Sequence, residues 1–157
     1  MMLKRLVEVA KPERPGDVPW LELEGLAEVE LTSEDAAHPI EGALLPRDER
    51  GWRAAEPGEQ RIRLLFRESQ RLRRIWLRFA EAGANRTQEF VLRWSSDGGR
   101  SFHDIVRQQY TFSPEGATSE IEDLRVELAA VTALELMIVP DQGRAEAYAS
   151  LEEWRIG

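Results

Sequence analysis

The stretch Gln88-Glu89-Phe90-Val91-Leu92-Arg93-Trp94-Ser95-Ser96-Asp97-Gly98-Gly99-Arg100-Ser101-Phe102 decides the class of fold. In its first part Phe90, Leu92 and Trp94 share one parity, while Glu89, Val91 and Arg93 share the other. Successive side chains of an extended chain point to opposite sides, so this period of two predicts a strand with one dry face and one wet face. Ser96-Asp97-Gly98-Gly99 then supplies the chemistry of a turn, because consecutive glycines accept positive φ without a Cβ clash. Phe102 to Arg107 resumes the extended pattern, which makes the whole a hairpin.

The same reading extends outward. Ile75, Leu77 and Phe79 alternate with Arg74, Trp76 and Arg78, placing the first set in a core and leaving Trp76 partly exposed or under a loop. Further strands are expected at Leu21 to Leu31, Ile62 to Phe66, Glu120 to Leu128, Leu134 to Val139 and Ala145 to Ile156, for about eight in all. Ser113-Pro114-Glu115-Gly116 is a second turn signal, with Pro fixing φ ahead of a Gly. Helix is confined to two short candidates, one over Thr32 to Ala37 closed by His38-Pro39, and one turn between Leu128 and Leu134. Many short strands with regular turns predict an all-β, antiparallel two-sheet sandwich of the jelly-roll kind.

The totals fit one such unit over residues 1–157, with 1–20 as an N-terminal extension. The chain is 157 residues long, 42% hydrophobic and 32% charged, enough for a single core but too little for two. It has no Cys, which removes disulfides, thiolate metal sites and thiol nucleophiles. The opening MMLKRLVEVA is interrupted by Glu8 and followed by Lys11-Pro12-Glu13, unlike a secretory segment, and no later run has the length of a membrane span. The expectation is a soluble, cytoplasmic protein with no membrane insertion. A net charge of −8 opposes nucleic-acid binding. The seven Arg between Arg61 and Arg78 read as a solvated strand face paired with the acidic Glu115 to Glu135 stretch across the sheet.

Several segments, in order, resemble the discoidin or coagulation-factor type C family, whose domains are galactose-binding-like jelly rolls. Ser33-Glu34-Asp35-Ala36-Ala37-His38-Pro39-Ile40-Glu41-Gly42-Ala43-Leu44 is similar to the family's early loop, which ends in a Gly-Trp step, here Gly51-Trp52. Gln60-Arg61-Ile62-Arg63-Leu64-Leu65-Phe66 and Gln70-Arg71-Leu72-Arg73-Arg74-Ile75 resemble a strand and its return. Leu92 to Phe102 resembles the hairpin, and Ala149-Ser150-Leu151-Glu152-Glu153-Trp154-Arg155 the closing strand. The resemblance covers roughly Glu28 to Ile156. It implies recognition through loops at one end of the sandwich, for glycans, lipid surfaces or proteins. Many relatives hold a structural Ca²⁺ where an Asp-Gly pair follows the early loop. Here Leu45-Pro46, Arg47 and Arg50 stand nearby and Glu153 alone matches a ligand, so no metal and no cofactor are expected.

Catalysis has little to stand on. Glu34-Asp35, Asp48-Glu49 and Glu122-Asp123 are adjacent pairs whose members point apart on a strand. His103 reads as an exposed strand residue, and Gly98-Gly99 lies in a hairpin, not before a helix. What remains is binding by loop residues: His38, Glu41, Trp52 and Arg53 in the first loop, Asn85 and Arg86 in the second, and Tyr110 in the Gln108 to Thr118 segment. Planar rings could stack on a sugar while Arg, Asn and Glu hydrogen-bond its hydroxyls. Trp52 reads more readily as a core plug beneath the loop. Arg86 is expected to hydrogen-bond the ligand, so that its removal weakens binding and leaves stability nearly unchanged. The sequence thus supports a non-catalytic module for a carbohydrate or other small polar ligand, or alternatively a cytosolic protein-interaction or self-association module.

Overall fold

In the computed structural model of the protein, which describes residues 2–4 and 20–157, the elements in chain order are β1 (Ala27–Leu31), α1 (Glu41–Leu44), β2 (Trp52–Arg53), β3 (Gln60–Ala80), β4 (Arg86–Ser95), β5 (His103–Phe112), β6 (Ser119–Val139), β7 (Ser150–Leu151) and β8 (Glu153–Ile156). All strand pairings are antiparallel. The extension assigned to residues 1–20 falls mostly outside the described residues.

The architecture rests on two strands of 21 residues each, β3 and β6. Their first and second halves belong to different leaves of the sandwich. Gln60 to Leu65 of β3 lies between β1 and the Ala133 to Ile138 part of β6, which in turn pairs with β4, and β4 with β5. Leu72 to Ala80 lies between β8 and the Ser119 to Leu128 part of β6. Register shifts between Leu65 and Arg74 mark the crossing. Bulges there bend and twist the strand, interrupting the pairing only locally, so one ladder continues over both leaves. The sequence reading divided each of these strands in two and expected a helical turn between Leu128 and Leu134. The corresponding residues stay extended, since the opposite strand bulges with them.

The leaves face each other through apolar side chains. Phe79 of one leaf and Phe90 of the other lie 5.0 Å apart, centroid to centroid, with ring planes inclined by 33°. Leu77, Leu92, Leu134, Leu136, Trp154 and Ile156 around them have no accessible surface. Trp94 is half-buried against His103. Trp76, expected to be partly exposed, is buried, because its strand is flanked by β8 on one side and β6 on the other.

The Arg-rich face is paired in part as expected, Arg63 and Arg74 meeting the acidic stretch across the sheet, but Arg74 is buried and Arg78 is paired with β8. Arg63 Nε donates to Glu135 at 2.6 Å, Arg74 makes a two-pronged contact with Asp123 at 2.8 and 2.9 Å, and Arg78 Nε donates to Glu153 at 2.6 Å. The Arg74 guanidinium holds the Asp123 carboxyl below its ordinary range.

The other departures are at the strand ends. Of Leu21 to Leu31 only Ala27–Leu31 is strand, and of Ala145 to Ile156 only the last seven residues carry strand. The helical turn sits at Glu41–Leu44, after His38-Pro39, because Asp35 and His38 form a backbone bridge that keeps the preceding segment extended. Gly42 and Gly51 are required here. A Cβ on Gly42 would come within 2.5 Å of the Gly51 carbonyl oxygen, and Gly51 itself has φ +72°.

At the hairpin, Gly98 and Gly99 take φ values of +77° and +91°. The Asp97 carboxylate accepts from Ser95 Oγ, Ser101 Oγ and the Arg100 and Ser101 amides. Those donors hold its pKa far below the ordinary 3.8. Thr132 Oγ1 of β6 accepts from Gly98 N at 2.8 Å and ties the hairpin to the bend.

One inward carboxyl is out of keeping with the core. Glu120, opposite Phe79, is buried and its Oε2 has no partner. Burial, with Glu122 beside it, pushes its pKa from 4.5 up to about 8. The native state therefore retains a proton that the unfolded chain releases at about pH 4.5. The stability this contributes is full below that pH and is lost as pH rises through about 8. Denaturant unfolding of wild type should weaken between pH 4.5 and 8, whereas Glu120→Gln should remove most of that slope. Parallel pH profiles for the two proteins would show that Glu120 is not the group responsible.

Candidate functional site

Because β3 and β6 fold over at the hairpin end, the other end of the sandwich collects the chain reversals. There Ala80 leads into Arg86, Phe112 leads into Ser119, and Val139 leads toward β7. These connections leave a groove of about 540 Å³. One wall is the 81–86 connection, the other is the segment from Asp141 to Glu152, and Arg53 and Arg78 close its sides. The room comes from small side chains. Ala80, Ala82, Ala84, Ala147 and Ala149 all line it.

Local alternation sets the groove's one aromatic ring. Ala147 O accepts from Gly58 N at 2.9 Å and Ala149 O accepts from Ala54 N at 3.0 Å. Ala149 is fully buried, and Tyr148 between the two alanines is turned outward, 55% exposed and on the groove. An exposed aromatic held by two backbone anchors is a rigid apolar surface beside polar groups.

The polar groups are balanced in charge. Arg53, Arg78, Arg86 and Arg144 face Glu81, Asp141, Glu146 and Glu152. Arg86 is the fixed one. Its Nε donates to Glu81 at 2.9 Å, its Nη1 to Gln88 Oε1 at 3.0 Å and to Pro140 O at 2.9 Å, and its guanidinium lies 4.7 Å over the Phe112 ring. It is 5% exposed and Nη2 has no partner. Arg78 is held by Glu153 at 2.6 Å. Asp141 accepts from Gly143 N and Thr87 N, fixing the start of the opposite wall. Arg53, Arg144 and Glu146 are exposed and make no side-chain hydrogen bond or ion pair among the described residues. They are free to meet hydroxyl groups.

Of the seven residues expected to bind, the groove gathers Arg53, Asn85 and Arg86. Four lie elsewhere. Trp52 is fully buried, pairs with Leu151 and donates Nε1–H to Ser33 O at 3.1 Å, so it has no surface for a ligand and is the core plug. His38 is held by its ring, Nδ1 lying 3.0 Å from Arg50 O, and by backbone bonds to Asp35 and Arg53. Glu41 heads α1 and lines a separate apolar hollow beside Leu23 and Val29. Tyr110 is half-buried, packed edge-on against Phe112, with its hydroxyl donated to Ser119 O at 3.0 Å. Arg86 is also corrected in kind, since it is a buried cation engaged by Glu81, Gln88 and Pro140 and so bears on the fold, contrary to the expectation that its removal leaves stability nearly unchanged.

Tyr148, Arg144, Glu146 and Glu152 were not anticipated. Reading Ala145 to Ile156 as one strand concealed them, although Pro140-Asp141-Gln142-Gly143 carries ordinary turn chemistry. At the early loop, buried Arg155 donates Nη1–H to Ala43 O at 2.6 Å, and its burial lowers its own pKa. Among the described residues no group of three or more His, Cys, Asp or Glu comes together to hold a metal.

Because Arg86 is buried between Glu81, Gln88 and Pro140, Arg86→Ala should cost about 3 kcal/mol of stability, the penalty for leaving a mostly buried partner unpaired. Urea unfolding of the two proteins tests this, and an unchanged midpoint would place Arg86 among the dispensable surface residues.

No protein-family model and no curated protein sequence matches the chain. Solved structures do. A module from Clostridium perfringens in complex with GalNAc-β-1,3-galactose superposes with a TM-score of 0.62 at 20% identity, over 85% of this chain and 96% of that one. A pectin-binding carbohydrate-binding module gives 0.60 at 18% identity, over 84% and 90%. A chitosan-binding module from a Paenibacillus sp. IK-5 chitosanase/glucanase gives 0.58 at 20% identity, over 83% and 94%. At these identities the likeness is one of fold: the chain shares an antiparallel β-sandwich with these carbohydrate-binding modules, which are themselves discoidin-like, galactose-binding-like jelly rolls.

Proposed function

We propose that this protein is a non-catalytic module that binds a carbohydrate in the groove between the 81–86 connection and the Asp141 to Glu152 segment. The observation that carries the reading is Tyr148, an exposed ring seated by backbone bonds on both sides and surrounded by charged groups of both signs. A sugar presents an apolar C–H face and a rim of hydroxyls that donate and accept. A flat ring beside guanidinium donors and carboxylate acceptors matches both features. The near-cancellation of charge in the groove suits a ligand whose polar groups are mostly neutral. The structural neighbours in complex with sugars support the same class of ligand.

The alternative, a protein-interaction surface, finds less support. Exposed large apolar residues among those described are Met2, Leu3, Ile121 and Tyr148, and of these Tyr148 alone lines the groove. A docking face for a protein partner usually presents a contiguous apolar patch of several hundred Å².

A glycan array followed by calorimetric titration of the strongest binder tests the proposal. Truncating a central aromatic anchor commonly costs about 2 kcal/mol, so Tyr148→Ala should weaken binding by about 30-fold. Its melting temperature should not move, because the side chain is exposed and its hydroxyl makes no hydrogen bond among the described residues. Equal affinity for wild type and Tyr148→Ala sinks the groove as the site.

A further inference from the structure

We infer that the ligand is an extended glycan chain, bound along a line and not as a single terminal sugar. This rests on the carbohydrate reading of the groove. A second hollow, of about 400 Å³, is lined by Pro46, Asp48, Glu49, Arg78, Glu152, Glu153 and Arg155. It shares Arg78 and Glu152 with the first groove, so the two hollows meet at that pair. Sites for whole drug-sized ligands begin at about 300 Å³. One sugar ring therefore fills neither hollow.

A single segment runs along both. Tyr148, Ser150 and Glu152 line the first hollow, and Glu152, Glu153 and Arg155 the second. At about 3.3 Å per residue, Tyr148 to Arg155 has a contour of roughly 20 Å, several sugar rings long. The junction is rigid. Glu152 N donates to Arg78 O at 2.9 Å, and Arg78 Nε is held by Glu153 at 2.6 Å.

The hollows differ in what they offer. The first has the Tyr148 ring and the uncommitted Arg53 and Arg144. The second has no aromatic ring. Its Asp48 is engaged by Arg50, which draws the Asp48 pKa down to about 2, and its Glu153 is engaged by Arg78. Glu49 and Glu152 make no side-chain hydrogen bond or ion pair among the described residues. One sugar thus stacks in the first hollow, and the next units of the chain lie edge-on in the second, donating hydroxyls to Glu49 and Glu152.

Affinity should then rise with chain length. The probes are galactan, homogalacturonan and chitosan oligomers of increasing length, from the monosaccharide to the pentasaccharide, titrated against wild type, Tyr148→Ala, Glu49→Ala and Glu49→Trp. Glu49 is exposed on a loop, so both of its variants should fold, and Glu49→Trp obstructs the second hollow. For the oligomer series that binds, we expect about ten-fold tighter binding of the tetrasaccharide than of the monosaccharide. Either Glu49 variant should abolish that gain and leave monosaccharide affinity unchanged. Length-independent binding that Tyr148→Ala abolishes overturns the extended site and spares the groove. A length gain untouched by both Glu49 variants also overturns it, by placing the extra sugars elsewhere. No binding at any length in any series overturns the carbohydrate reading together with this one.

Discussion

The rest of the molecule depends on β3 and β6 passing from one leaf to the other as a hydrogen-bonded pair. A ladder that wraps both sheets needs bulges at the same level in each strand, and the register shifts between Leu65 and Arg74 supply them. The bend has a fixed cost in unpaired backbone. It is offset on the inside by the apolar contact it closes, above all Phe79 on Phe90. It also sets the polarity of the sandwich. With the bend and the Asp97 hairpin at one end, the connections at Ala80, Phe112 and Val139 are gathered at the other, and the groove forms between them.

Arg86 is where fold and groove share a residue. A guanidinium at 5% exposure is tolerable because Glu81, Gln88 and Pro140 take its protons and Phe112 covers its face. Those partners come from the 81–86 connection, β4, β5 and the end of β6, so Arg86 anchors one groove wall to the sheet. The result is a wall fixed before any ligand arrives, and a fixed wall reduces the ordering cost of binding. The same buried chemistry explains why Arg86 is poorly placed to contact a ligand. Arg53 and Arg144, which have no such partners among the described residues, are the donors left available.

How much was legible in the sequence follows from which forces are local. The period-two pattern of Phe90 to Trp94 and the paired glycines at Gly98-Gly99 depend on neighbours only, and the strand and turn read correctly; the faces did not, since Val91, assigned to the wet face, is fully buried and Trp94 is only half-buried. The opposite charges of the Arg61 to Arg78 block and the Glu115 to Glu135 stretch read correctly in part, as the cross-strand pairs of Arg63 and Arg74. Continuity of β3 and β6 did not, because the bulges are set by the partner strand and not by the residues at the bend. Trp76 was misplaced for a similar reason. Parity put it on the outer face, and only tertiary placement covers that face. At the candidate groove, Arg53, Asn85 and Arg86 were named from their loops and line it, whereas Trp52 and Tyr110 were offered as ligand platforms because a sequence cannot say which side of a loop an aromatic ring takes.

That last point has a physical form. The two aromatic side chains offered as platforms each have a backbone carbonyl in reach of their polar tip: Trp52 reaches Ser33 O, and Tyr110 reaches Ser119 O. Each satisfies its one polar group and then gains by burying the rest of its ring. Tyr148 is prevented from doing the same. The alanines on either side have their carbonyls committed to Ala54 N and Gly58 N, and Ala149 is fully buried, so the alternating backbone has no freedom to rotate the ring inward. An exposed tyrosine kept out of the core by its own backbone costs burial energy that the fold could otherwise gain. Residues held at such a cost belong more often to recognition than to stability, and this one stands over the groove.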